Sequence, residues 1–183
     1  MIELNELIAK SVGGDWGKES PVGNYTEKVY CIRGADIPNI NVNNYSGVPV
    51  RYCKKENVES KKLQDGDIII EISGGSPIQS TGRISYIDKK MLYDFDSNVL
   101  CTNFCRILRF KDKEISRYVY DYLSLLYDRG YYFNLENNTT GIKNLLLNSF
   151  VQNIKVILPP KKEIELYYKL IDKYVTETIN SIL

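Results

Sequence analysis

Residues 67–83 read Asp-Ile-Ile-Ile-Glu-Ile-Ser-Gly-Gly-Ser-Pro-Ile-Gln-Ser-Thr-Gly-Arg. Asp65-Gly66 just before them is a turn signal, and the density of Ile68, Ile69, Ile70 and Ile72 predicts a strand buried on both faces. Ser73-Gly74-Gly75-Ser76-Pro77 ends the predicted strand, because glycine brings no packing side chain and proline no N–H to a ladder. The expectation is a buried strand that aims an exposed, hydroxyl- and amide-rich loop at solvent. In that loop Ser73, Gly74, Gly75 and Ser76 allow close backbone approach, and Gln79, Ser80 and Thr81 offer donors and acceptors. Arg83 is a planar charged fork suited to phosphate or guanine. An ordinary glycine-rich hairpin connection fits the same residues.

The chain around this stretch has 183 residues, enough for one well-buried domain with an appendage. Hydrophobic content of 43% and charged content of 26% are ordinary for a globular protein and argue against disorder. The 24 Lys and Arg nearly cancel the 23 Asp and Glu, so any phosphate-binding face must come from uneven distribution rather than bulk charge. Histidine is absent, which removes Ser-His-Asp triads, Cys-His dyads and every histidine-ligated metal site. Cys31, Cys53, Cys101 and Cys105 form no Cys-x-x-Cys pair, so buried free thiols are expected and no metal site. No apolar run approaches the ~20 residues of a membrane span, and the N-terminus lacks a basic segment followed by an apolar core, which fits a cytoplasmic protein. The 15 tyrosines offer amphipathic surface for cores and interfaces alike.

Upstream, Leu4, Leu7, Ile8 and Val12 lie at helical spacing and predict a short opening helix, ended by Gly13-Gly14. Asp15 to Thr26 reads as an irregular loop whose Trp16 suits either base stacking or a lid over the core. Glu27 to Arg33 predicts a strand, with a turn through Gly34-Ala35-Asp36-Ile37-Pro38-Asn39, and Val48 to Cys53 predicts another. Lys54-Lys55 and Lys61-Lys62 bracket a polar segment that reads as a solvated face. Its Glu59-Ser60-Lys61 matches only two residues of a nuclease site and lacks the upstream metal-binding aspartate, so nuclease chemistry is rejected.

Downstream, Ile84 to Ile87 resumes a strand and Val99 to Phe110 predicts a longer one that includes Phe104. Its Arg106 and Arg109 suit either phosphate or the wet face of a sheet. Ile115 to Tyr127 shows helical periodicity and stops at Gly130. Asn137-Asn138-Thr139-Thr140-Gly141-Ile142-Lys143-Asn144 is a second polar loop, suited to phosphates and base edges or to capping a helix over Leu145–Phe150. Ile154 to Leu158 reads as a last strand, closed by Pro159-Pro160. From Lys161 to Leu183 there is neither Gly nor Pro, and Ile164, Tyr168, Ile171, Val175, Thr178 and Ile182 are spaced 4, 3, 4, 3, 4. That is a coiled-coil seam, and with Leu166, Leu170 and Tyr174 widening it, a partner helix is expected ahead of docking on the chain's own domain. At ~1.5 Å per residue the helix spans about 35 Å, roughly one turn of B-DNA.

Two of these stretches carry a resemblance. The acidic turn, aliphatic strand, Ser73-Gly74-Gly75-Ser76 and Gly82-Arg83 resemble the target recognition domain of type I restriction-modification DNA-specificity subunits. Asn153-Ile-Lys-Val-Ile-Leu-Pro-Pro160 with its following helix resembles that family's junction between recognition domain and helical spacer. The resemblance implies an α+β fold, with a twisted mixed sheet and short helices over residues 1–158 and a coiled-coil-type spacer or dimerisation helix over 159–183. It also implies DNA contacts from Arg33, Asn39, Thr139, Thr140 and Lys143 beside the loop of residues 73–83. Full-length specificity subunits of that family carry two recognition domains and two spacers, so this chain resembles a half-subunit or a truncated or single-domain relative, which would pair with itself or with a second recognition domain. No adenine-methylation motif, glycine-rich S-adenosylmethionine loop or Walker motif is present. The implied role is therefore non-catalytic recognition of double-stranded DNA. S-adenosylmethionine would be held by partner adenine methyltransferase subunits, joined by a restriction subunit where the system carries one. The family's Glu-Gln pair after Pro-Pro is replaced here by Lys161-Lys162, which bears on the methyltransferase contact. A protein-interaction module that uses only its terminal helix is the alternative.

Overall fold

In the computed structural model Ile68, Ile69, Ile70 and Glu71 are all buried, and the strand they form is hydrogen-bonded on both edges. The structure describes residues 1–76, 78–139 and 142–182, with the backbone alone at 138, 139 and 179–182. In chain order the elements are β1 (Ile2–Glu3), α1 (Leu4–Leu7), β2 (Ile8–Gly13), β3 (Tyr25–Ile32), α2 (Ile37–Ile40), β4 (Val50–Lys54), α3 (Lys55–Lys61), β5 (Ile68–Glu71), β6 (Ser73–Gly74), β7 (Ile84–Tyr86), α4 (Lys89–Asp94), β8 (Asn98–Cys101), β9 (Cys105–Phe110), α5 (Ser116–Asp128), β10 (Glu136–Thr139), β11 (Ile142–Leu145), α6 (Leu147–Asn153), β12 (Lys155–Val156) and α7 (Lys161–Ile182). The fold is α+β, as the resemblance implies.

The order β2-β9-β5-β7 makes the central sheet, antiparallel throughout. Alternate residues of β5 point to opposite faces, and here each face has its own core. Ile68 and Ile70 join Leu108, Val119, Leu123, Tyr132 and Phe150 on one side. Ile69 joins Ile32, Ile37, Ile87, Met91 and Ile107 on the other. Two cores on one sheet explain why the run is aliphatic at successive positions rather than alternating with polar residues. A second sheet, β4-β3-β8, mixes an antiparallel and a parallel pairing, a third is β10-β11-β6, and β1 pairs with β12.

Several expected elements take another form. The spacing of Leu4, Leu7, Ile8 and Val12 is shared between the one-turn helix α1 and strand β2, which is irregular between Ile8 and Lys10 where it pairs with β9. A four-residue helix makes too few hydrogen bonds to propagate, and β-branched Ile8 and Val12 gain more from the ladder. The long strand expected over Val99–Phe110 is two strands in two sheets: β8 runs parallel to β3, and β9 begins after the Thr102–Phe104 turn. Residues 55–61, expected as a featureless polar face, form helix α3, which buries Val58. The polar loop around Asn137 is the hairpin β10/β11 rather than a helix cap; α6 starts two residues beyond it, at Leu147.

The four cysteines are free and buried. Burial pushes every thiol up, Cys53 to about 11 and Cys105 to about 12. Because the thiolate is the reactive form, a thiol reagent at pH 8 is expected to label the native protein only as fast as it opens, and to label all four thiols at once in denaturant. A thiol that titrates rapidly under native conditions would contradict this burial.

Candidate nucleic-acid interface

The end of β5 and the start of β9 open onto a cleft of about 450 Å³. Its walls include Trp16, Arg33, Glu71, Ser73, Arg83 and Phe104. The segment after β2 builds one side: Gly14 is buried against the β8–β9 turn, and the Asp15 N–H donates to the Cys101 carbonyl at 2.8 Å. Trp16 is then held by Arg51, whose guanidinium lies 4.0 Å from the indole ring and whose Nε donates to the Trp16 carbonyl at 3.0 Å. On the opposite lip Phe104 is 56% exposed, although its carbonyl is fixed by the Ile72 N–H at 2.8 Å. An exposed phenylalanine and a half-buried tryptophan beside arginines offer flat apolar faces of the kind that planar rings stack on.

The arginines in the cleft are already engaged. Arg83 reaches Glu71 with both arms of its fork, Nε to Oε2 at 2.9 Å, and Glu71 is 2% exposed. The hydrogen bonds to Glu71 push the Arg83 pKa up. Arg33 grips Asp36 in the same way at 2.9 and 2.7 Å and also donates to the Gly47 carbonyl at 3.0 Å. Its side chain stays 45% exposed.

The structure separates the expected site residues into two groups. Arg33, Ser73 and Arg83 converge on the cleft, with Gly74 packed against Glu71. Gly75, Gln79 and Asn39 are exposed and Ser76 is half-buried. Ser76 and Gln79 exchange backbone hydrogen bonds at 2.9 and 3.2 Å, which presents the neighbouring Ile78, 93% exposed, at the tip. The remaining residues turn inward, against expectation. Ser80 and Thr81 are buried, the Ser80 carbonyl accepting from the Tyr127 hydroxyl at 3.0 Å and the Thr81 N–H donating to Glu136 at 3.0 Å. Lys143 is buried too, 2.6 Å from Glu136 and above the Phe133 ring. Thr139 is described by its backbone in β10, and Thr140 lies outside the described residues.

Ser73-Gly74 also continues a ladder, contrary to the expected break. Gly74 pairs with Lys143 and Ser73 with Asn144 in β11. The loop is thereby a strand that leaves one sheet and enters another. Gly74 and Gly75 make the switch at φ +154° and +87°, where side chains are disfavoured. Phe104, expected within a strand, instead sits exposed in a turn; Asn103 beside it, between two buried cysteines, is the turn signal that marks its exposure.

Helix α7 divides at its middle. Ile164 is 3% exposed in the core beside α5. The Tyr168 hydroxyl donates to the Glu114 carbonyl at 2.8 Å and accepts from the Tyr118 N–H at 2.9 Å. Lys161 bridges Asp112 and Glu114, Tyr167 donates to Asp121, and Arg117 pairs with Asp172. Ile164 and Tyr168 are thus spent on the chain's own domain rather than kept for a partner helix, because the core cluster of Ile115 and Val119 takes in Ile164 and the Glu114 carbonyl and Tyr118 N–H satisfy the Tyr168 hydroxyl. Ile171 is half-buried, whereas Val175 and Thr178 are exposed along with Leu166, Leu170 and Tyr174. The side chain of Ile182 lies outside the described residues.

Among the described residues no group of three or more acidic, cysteine or histidine side chains is placed to hold a metal ion, and no helix is long and apolar enough to cross a membrane. Glu59 is exposed on α3, and the Lys61 ammonium donates to the Gly14 carbonyl at 3.3 Å. No curated protein matches the chain. The type I restriction modification DNA specificity domain matches residues 2–183, from β1 through the whole of α7. The chain belongs to that family of DNA specificity domains.

Proposed function

We propose that the chain reads a sequence in double-stranded DNA as the non-catalytic specificity component of a type I restriction-modification complex. The family match across residues 2–183 carries this reading, and the cleft gives it a location. There Trp16 and Phe104 supply stacking and apolar surface, Asn103 supplies polar atoms for base edges and the exposed Arg33 side chain supplies a phosphate or guanine contact, while Asn39 and Gln79, exposed outside the cleft lining, add further polar contacts. Adenine methylation with S-adenosylmethionine, and cleavage where it occurs, belong in this reading to partner subunits. Residues 1–158 form the recognition unit and residues 159–183 the spacer. The apolar second half of α7 pairs with the same helix of another copy or with a second recognition domain, and a symmetric pair would read a palindromic bipartite site.

The test is retention of random duplex DNA by the full chain, alone and with a type I methyltransferase subunit, at several salt concentrations. An enriched motif is expected, with affinity that falls as salt rises. Phe104→Ala and Gln79→Ala are expected to weaken retention by about 1–3 kcal/mol with unfolding unchanged, since both side chains are exposed. Absence of any motif in both arms would leave the protein-interaction reading, which the near-cancelling charge and the exposed half of α7 favour.

A further inference from the structure

Five arginines hold a carboxylate: Arg33 with Asp36, Arg51 with Glu19, Arg83 with Glu71, Arg109 with Asp67 and Arg117 with Asp172. Arg106 does not. It is partly buried at the start of β9, its Nε is shut off from solvent with no hydrogen-bond partner, and its guanidinium makes no ion pair among the described residues. An N–H buried without an acceptor is costly, and a guanidinium with no carboxylate beside it is left for an anion that the chain does not itself supply. Arg106 opens into a cavity of about 430 Å³. Asn144, Asn148 and Ser149 supply polar atoms there, Ile72 and the leucines of residues 145–147 supply an apolar wall, and no carboxylate lines it.

We propose that this cavity seats a phosphodiester group of the DNA backbone, clamped by the Arg106 fork and by the amides and hydroxyl around it. The proposal rests on the DNA-recognition reading. The fork, amides and hydroxyl match phosphate contacts, and the apolar wall strengthens a charge pair by lowering the local dielectric. Its position fits as well. In the register of β5 and β9, Arg106 lies opposite Ile70, whereas the next pair, Cys105 and Glu71, turns to the other face, where Glu71 lines the cleft. The phosphate seat and the base-stacking cleft thus flank the same end of the sheet, on either side of the turn that carries Phe104. Gly13, opposite Arg106 in β2, keeps the space open: a methyl there would stand 2.8 Å from Nη1.

The test compares the full chain with its Arg106→Gln, Arg106→Lys and Gly13→Ala variants on random duplex DNA across a salt series, with thermal unfolding measured alongside. Loss of one phosphate contact is expected to lower the slope of log affinity against log salt by about 0.9, on the order of tenfold at ~0.1 M salt, and to leave the enriched motif unchanged. Arg106→Lys should recover most of the slope. Inorganic phosphate at matched ionic strength should compete only weakly, which separates a backbone phosphate from a free anion; strong competition would overturn the assignment to DNA. If wild type binds DNA and Arg106→Gln keeps its slope, the guanidinium is structural and the proposal fails. Gly13→Ala displaces the guanidinium without removing it; should the glutamine variant not fold, a wild-type slope in Gly13→Ala overturns the proposal. An unchanged slope with lost methyltransferase binding would assign the cavity to a partner's carboxylate instead. Absence of DNA binding by wild type rejects the recognition reading and this inference together.

Discussion

Arg83→Ala is expected to cost about 3–5 kcal/mol of folding stability, measured as the urea midpoint at unchanged slope, because it strands the Glu71 carboxylate. That carboxylate is 2% exposed and receives both arms of the Arg83 fork. Gly34 and Gly74 lie so close to it that a side chain at either position would meet its Oε1. With domain stability typically about 5–15 kcal/mol, the loss would be visible in any unfolding assay. Loss of DNA retention in this variant should therefore follow loss of fold. Leucine at both positions 71 and 83 should recover much of the stability, since an apolar pair of similar volume removes the stranded charge. An Arg83→Ala variant that keeps its urea midpoint but loses DNA affinity would mean that the guanidinium is a free recognition group and that the Glu71 pair contributes little.

The same pair shows where sequence stops being informative. Charge and loop context nominate Arg83 and Lys143 as phosphate contacts, but nothing local announces that Glu71, twelve residues upstream, and Glu136 fold back to hold them. Elements decided by side-chain pattern were legible: β5, because successive isoleucines need a core on each face, and α7, because Pro159-Pro160 precedes an uninterrupted helical run. Elements decided by a distant backbone were not. Ser73-Gly74 has no propensity for a strand and becomes one because β11 lies alongside. The strand expected over Val99–Phe110 breaks because β3 recruits its first half in parallel while β2 and β5 take the second. The site was legible to the extent that it uses the β5 loop, and illegible where it depends on a turn that exposes Phe104 and on an Arg106 left without a carboxylate.

Gly14→Ala is expected to destabilise the protein by about 3 kcal/mol or more, at or beyond the top of the range for overpacking. A methyl on Gly14 would fall on the carbonyl oxygens of Cys101 and Thr102, well inside contact distance. Both obstacles are backbone, and both are tied in place. The Cys101 carbonyl accepts from Asp15 at 2.8 Å, the Thr102 N–H donates to Ile32 at 2.9 Å, and the Thr102 carbonyl accepts from Cys105 at 3.0 Å. Relief at Gly14 thus requires separating β2 from the turn that joins the two sheets. Gly23→Ala is the control: its φ of +57° disfavours alanine, yet no atom lies within 4 Å of the added carbon, so only the left-handed penalty of about 1–2 kcal/mol applies. Trp16, the sole tryptophan, follows Gly14 by two residues and reports on the crossing directly. Its emission should shift to the red in Gly14→Ala at temperatures where the fold persists and stay unchanged in Gly23→Ala. A Gly14→Ala protein as stable as wild type would show that the crossing yields freely, and the cleft between Trp16 and Phe104 would then lack the rigid seat that the proposed base stacking requires.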